Sequence, residues 1–138
     1  MKLIIYTDGG ARGNPGPAGI GVAVYDASGK FQKKHHAFLG TRTNNEAEYE
    51  AVIAALKLAS EEGADEVEVR MDSELVARQL GSVYKIRNSR MQELALHVRN
   101  LETKFKKVSY KHIPREQNTL ADKLVNQAID KHVDTKII

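Results

Sequence analysis

The stretch IGVAVYDASGKFQKKHHAFLGTRTNNEAEYEAVIAALKLASEEG, residues 20–63, decides the fold, because it places two strands, the turn between them and a capped helix in direct succession. Ile20 to Tyr25 is apolar and β-rich, Asp26-Ala27-Ser28-Gly29 has turn chemistry, and Lys30 to Leu39 resumes an extended run, so the two runs pair as a hairpin. The polar Thr43-Asn44-Asn45 precedes a helix whose Ala47, Ala51, Ala54, Ala55 and Leu58 recur on one face, and Gly63 stops it. Upstream, Lys2 to Tyr6 is another short β-rich run that ends at Thr7-Asp8-Gly9-Gly10. The segment GGARGNPGPAGIG that begins at Gly9 is dense in Gly and Pro and reads as a loop. Three strands therefore come before any helix.

Downstream the pattern changes to strand and helix in alternation. Val67 to Met71 alternates as a half-buried strand, and Asp72-Ser73 caps the short helix SELVARQLG. A further helix begins at Asn88 or Ser89 and runs to about Phe105, with Leu94, Val98 and Leu101 inward. Val108 to Ile113 is a fifth strand, stopped by Pro114, and Gln117-Asn118 opens a last helix with Leu120, Leu124, Val125 and Ile129 on one side. The order βββαβααβα predicts one α/β domain, a mixed five-stranded sheet flanked by helices, over residues 1–132, with 133–138 as a C-terminal tail.

Composition narrows the function. A chain of 138 residues suits a single core. The absence of Cys excludes a disulfide framework and a thiolate metal site, and makes a reducing cytoplasm the simplest compartment. Asp8 interrupts the apolar start too early for a signal sequence, and no run is long enough to span a membrane, so a cytoplasmic monomer without membrane contact is expected. The net charge of +3 permits an anionic partner, and the cations cluster at Lys33-Lys34, Lys85-Arg87-Arg90 and Lys104-Lys106-Lys107.

Four acids occupy suggestive places: Asp8 and Asp72 follow strands, whereas Glu48 and Asp122 lie about one turn into helices. Alone, each has an ordinary role as a turn former, surface charge, cap or dipole partner. Together, at the strand-end crevice of an α/β sheet, they would repel strongly unless cations bridged them. Oxygen ligands without Cys or a His pair suit hard divalent ions such as Mg2+.

The sequence around every one of these acids resembles type 1 ribonuclease H. Tyr6-Thr7-Asp8-Gly9-Gly10 with Gly13-Asn14-Pro15-Gly16 is similar to the family's first-strand aspartate and glycine-rich hairpin. Thr43-Asn44-Asn45-Glu46-Ala47-Glu48 is similar to its TNNxxE helix start, which selects Glu48 over Glu46 or Glu50. Met71-Asp72-Ser73 matches its DS pair, and Asn118-Thr119-Leu120-Ala121-Asp122 its NxxAD helix. The resemblance implies an endonuclease that hydrolyses the RNA strand of RNA·DNA hybrids with two Mg2+ ions, replaceable by Mn2+, leaving 5′-phosphate and 3′-hydroxyl ends. Double-stranded RNA and RNA-DNA junctions are further candidate partners. Asp8, Glu48, Asp72 and Asp122 would be the metal-binding, catalytic carboxylates.

The same resemblance places Gly9, Gly10, Asn14, Thr43, Asn44, Asn45, Ser73, Glu74 and Asn118 against the substrate. Asn14, Asn44 and Asn45 would meet base edges and ribose 2′-hydroxyls in the minor groove, and Thr43 a DNA phosphate. Three departures stand out. Glu74 replaces a Gln, which either alters an amide contact or adds an acid near the metals. The loop that carries a helper His in the bacterial branch shrinks to Ile113–Gln117, leaving Arg115 as the preferred assistant and His112 as the alternative. The basic handle, a Lys- and Trp-rich helix and loop that some members of the family insert after the short helix, is absent or vestigial here, where only Tyr84 to Asn88 stands, so Lys85, Arg87 and Arg90 become the first candidates for phosphate contacts. Two rival readings are a catalytically idle hybrid- or duplex-binding module of this fold, and a metal-dependent small-molecule phosphatase; GARGNPG lacks the Lys-Ser/Thr ending of a P-loop.

Overall fold

The chain opens with β1 (Lys2–Ala11), β2 (Gly16–Asp26) and β3 (Phe31–Arg42), each antiparallel to the next. Then come α1 (Asn44–Glu61), β4 (Glu66–Met71), α2 (Glu74–Leu80), α3 (Ser89–Glu102), β5 (Lys107–His112), a 3-10 turn (Arg115–Gln117) and α4 (Thr119–Ile137). The structure, a computed structural model, describes residues 1–137 and the side chains of residues 1–132; of the tail expected over 133–138, the backbone continues α4 to Ile137 and residue 138 lies outside the described residues. The sheet order is β3-β2-β1-β4-β5, with β4 parallel to both β1 and β5, which is the mixed five-stranded sheet expected.

Alternation along the strands sorts the core. Leu3 and Ile5 of β1, Val22 and Val24 of β2, and Val67 and Val69 of β4 are buried in one cluster with Tyr49, Val52 and Leu56 of α1 and Leu94, Val98 and Leu101 of α3. Leu124, Val125, Ala128 and Ile129 of α4 are buried as well, and α4 packs chiefly on β2 and β3. Completely buried side chains of this size cost about 2–5 kcal/mol when truncated to Ala, so α1 is held to the sheet far more strongly than its own helix propensity would hold it.

The Gly- and Pro-rich segment departs from the reading as a loop. β1 continues to Ala11 and β2 begins at Gly16, leaving only residues 12–15 as the turn, closed by Arg12 N donating to Pro17 O at 2.9 Å. The glycines belong to helix packing. A Cβ on Gly9 would lie 2.2 Å from the backbone of Ala47 in α1, and one on Gly21 would lie 2.2 Å from Ala121 O in α4. Smaller shifts follow the same tertiary logic: α3 stops at Glu102 rather than near Phe105, and Lys106 N, just before β5, donates to Asp65 O at 2.7 Å.

This topology makes the crevice. β1 pairs with β4 only as far as Thr7 opposite Met71, yet stays paired with β2 to Ala11 opposite Ala18. Asp8 is therefore the first residue of β1 beyond the parallel pairing, where the chain order reverses across the sheet and ligands collect in open α/β folds.

Candidate active site

The capping of α1 decides which of its acids faces the crevice. Thr43 Oγ1 accepts from Glu46 N at 3.1 Å while Glu46 Oε1 accepts from Thr43 N at 3.0 Å, a capping box that turns Glu46 outward, where it meets Arg90 Nε at 3.2 Å. Glu50, a turn further on, pairs with Arg42 at 2.9 Å. Glu48 lies between them and points into the sheet, with Oε1 accepting from Gly9 N at 3.3 Å.

Asp8, Glu48 and Asp72 converge: each offers a carboxylate oxygen within 4.8 Å of the other two. Asp8 and Glu48 are buried, at 7% and 8% exposure, and Glu48 Oε2 is buried with no N–H or hydroxyl donor to it among the described residues. Burial is the largest reason that Asp8 is pushed up to about 7; the hydrogen bond with Glu48 opposes this, and the charges of Asp72 and Asp122 add to it. Burial, and then the charge of Asp8, also hold Glu48 well above the usual carboxylate range. Two such groups side by side ionise only at a cost to the fold unless a cation neutralises them. Convergent hard oxygens, one of them buried, form a donor set that fits a divalent cation of the Mg2+ class.

Asp122 is half-buried in the first turn of α4, beside this trio and not within its 4.8 Å grouping. It lines the same cleft of about 290 Å3, together with Asp8, Gly9, Gly10, Asn44, Asp72 and Arg115. Arg115 Nη2 lies 3.8 Å from Asp122 Oδ1. His112 ends β5 opposite Met71, is exposed, and does not line the cleft.

Two asparagines form a ledge beside the carboxylates. Asn44 Oδ1 accepts from Ala11 N at 2.9 Å, and Asn14 Oδ1 accepts from Asn44 N at 2.9 Å, which ties the β1–β2 turn to the start of α1 and leaves both side-chain NH2 groups on exposed residues. Asn45 is half-buried in the first turn of α1. Lys85 and Arg87 are exposed in the segment between α2 and α3.

Some expected contacts are engaged elsewhere. Ser73 caps α2 by accepting from Val76 N at 3.3 Å. Glu74 is exposed and pairs with Arg78 at 3.0 Å across one helical turn, so it does not join the cluster. Arg90, named for phosphate, is already neutralised by Glu46 and Glu93. Asn118 does not face a substrate. It is 1% exposed, and its Nδ2 donates to Thr7 O at 2.8 Å and to Asp72 Oδ1 at 3.3 Å. Arg12, absent from the sequence expectations, lines the cleft and pairs with Asp130 of α4 at 2.7 Å. The only signal for it was its place in a glycine-rich turn next to an aspartate-bearing strand.

The comparisons with known proteins agree with this geometry. Residues 6–128 match the family model described as reverse transcriptase-like. A bifunctional protein of Mycobacterium tuberculosis is 42% identical over 132 residues, which cover 94% of this chain and 36% of that protein, so the chain spans about a third of the length of that relative. The RNase H1 structure from the halophilic archaeon Halobacterium salinarum superposes with a TM-score of 0.92 at 38% identity, covering 95% of this chain and 99% of that one. LC11-RNase H1, solved in complex with an RNA/DNA hybrid, gives a TM-score of 0.91 at 48% identity, with 95% and 99% covered. With the family model spanning most of its length and the RNase H1 structures matching it end to end, the chain belongs to the type 1 ribonuclease H family of reverse transcriptase-like domains.

Proposed function

We propose that this domain is an endonuclease that hydrolyses the RNA strand of RNA·DNA hybrids, using two Mg2+ ions, with Mn2+ able to substitute, and leaving 5′-phosphate and 3′-hydroxyl ends. The observation that carries the reading is the convergence of Asp8, Glu48 and Asp72 at the end of the parallel sheet, with Glu48 Oε2 buried and reached by no N–H or hydroxyl donor among the described residues. The LC11 relative in complex with an RNA/DNA hybrid supports the substrate class.

Asp8, Glu48, Asp72 and Asp122 would hold the ions, which when bound supply the charge that activates water and stabilises the departing oxygen in phosphodiester hydrolysis. The remaining groups position the hybrid. The free side-chain NH2 groups of Asn14 and Asn44, with Asn45 beside them, face the minor groove, where ribose 2′-hydroxyls distinguish RNA from DNA. Thr43, with Lys85 and Arg87, approaches DNA phosphates. Arg115, at the mouth of the cleft beside Asp122, holds the scissile or released phosphate through its guanidinium. A Cys-free chain without a helix long and apolar enough to cross a membrane, among the described residues, suits work as a monomer in a reducing cytoplasm.

A labelled hybrid incubated with the protein and Mg2+ tests the reading directly. Internal cuts in the RNA strand, abolished by Asp8→Asn or Asp72→Asn, are expected; an intact hybrid with unsubstituted protein overturns it. Parallel lanes with double-stranded RNA and with a single ribonucleotide in DNA define the breadth.

A further inference from the structure

Asn118 stands just before α4, and its position joins three carboxylate-bearing elements. Its backbone oxygen accepts from Asp122 N at 3.1 Å, in the first turn of the helix. Its side-chain Nδ2 has two hydrogens and two acceptors, Thr7 O at 2.8 Å and Asp72 Oδ1 at 3.3 Å. Thr7 immediately precedes Asp8, and it is the last residue of β1 paired with β4. The residue is 1% exposed, so its amide has no access to a nucleic acid, while Asp72 is half-buried at the cleft.

We propose that Asn118 is a positioning residue for the carboxylate cluster: by donating to Thr7 O and Asp72 Oδ1 it fixes the separation of Asp8 from Asp72 and directs the other oxygen of Asp72 to the cation. The inference rests on the cation reading of the cluster. Asp72 follows the last residue of β4, and among the described residues Asn118 is the side-chain donor that holds its carboxylate. A carboxylate held by one oxygen loses rotational freedom before the cation arrives, so less ordering accompanies binding. The geometry also explains why an amide is required. Asp at 118 would set an acceptor against a carbonyl and a carboxylate, and Ser is too short to bridge both.

The test is calorimetric titration of Mn2+ into the protein without nucleic acid, for the unsubstituted chain, Asn118→Ser and Asn118→Asp, with melting curves and kcat and KM on a hybrid. Expected are a weakening of Mn2+ affinity by about ten-fold or more, a fall in kcat, and a KM for hybrid within about two-fold of the original. A raised KM with unchanged Mn2+ affinity would make Asn118 a substrate contact and overturn the inference. So would a lowered melting temperature with unchanged Mn2+ affinity, which is the mark of a purely structural residue. If both variants fail to fold, the unsubstituted chain still decides. Its Asn118 side-chain NH2 resonances should exchange slowly with water and shift on adding Mg2+; fast exchange, or no shift, overturns the inference. Failure of the unsubstituted chain to bind Mn2+ would overturn the cation reading itself, whereas normal binding by Asn118→Ser would overturn this inference alone.

Discussion

Asp8 shows what the cluster costs the fold. Its pKa rises from the ordinary 3.8 to about 7 in the folded chain, chiefly through burial, and Glu48 moves in the same direction. A carboxylate with a raised folded pKa contributes stability that is fully present below its unfolded pKa and is lost as pH rises through the folded value. The metal-free protein should therefore melt at a lower temperature at pH 7.5 than at pH 5. Carboxylates with lowered pKa values, such as Glu46 and Glu68, act below that window, whereas His36, lowered chiefly by burial, opposes the trend within it by a smaller shift than that of Asp8. Asp8→Asn removes the ionisation, so at pH 7.5 it should raise the melting temperature of metal-free protein by roughly 5–10 °C, on the order of 2–3 kcal/mol, while abolishing hydrolysis. Differential scanning calorimetry at the two pH values checks this, and an unchanged or lowered melting temperature for Asp8→Asn contradicts it. Arg115 and His112 divide as simply. Arg115→Ala should lower kcat/KM on hybrid by about ten-fold, near 1.4 kcal/mol, whereas His112→Ala, outside the cleft, should stay within about two-fold.

At the scale of elements, the site depends on how closely α1 lies on β1. The contact between Gly9 and Ala47 allows that approach and also supplies the Gly9 N–H that holds Glu48 Oε1. Gly9→Ala forces the helix outward, because the clash is with backbone and no side chain can swing aside. It should destabilise the fold by about 2 kcal/mol or more and abolish activity, as read by urea unfolding and hybrid cleavage. Thr43→Ala removes one arm of the capping box and should cost about 1 kcal/mol. The order and type of every strand and α-helix were legible from hydrophobic period and caps, whereas the 3-10 turn Arg115–Gln117 read as part of a loop. The extent of β1 and β2 was not, because their glycines answer to helices that arrive later in the chain and from other layers. The convergence of Asp8, Glu48 and Asp72 was legible because each stands within a tight local motif, and Asp122, read from its helix context, lines the same cleft. Asn118 was visible and assigned to substrate, since burial depends on packing that local spacing cannot reveal. The pairing of Arg90 with Glu46 was not legible either, because that partner lies on another helix.

For the whole molecule, a net charge of +3 says little until the cations already engaged are set aside. Arg12, Lys33, Arg42, Arg70, Arg78, Arg90 and Arg99 all sit in ion pairs. Lys85 and Arg87 are exposed and form no ion pair among the described residues. They lie in the segment that leads into α3, whose Arg90 contacts Glu46 at the start of α1, so they come to the same end of the molecule as Thr43, Asn44 and Asn45. A hybrid seated on that ledge would lay a phosphate backbone across both. With so few unpaired cations near the cleft, affinity should weaken only moderately with salt, with a slope of log K against log salt of about −3, since each phosphate contact contributes about 0.7–0.9. Replacing Lys85 and Arg87 together by Ala should bring the slope to about −1.5 and weaken binding alike on hybrids of different sequence, because phosphate contacts carry no base information. Fluorescence anisotropy with a labelled hybrid in Ca2+, at several salt concentrations, measures both quantities. A slope unchanged by the double substitution would place the DNA strand on another surface of the domain.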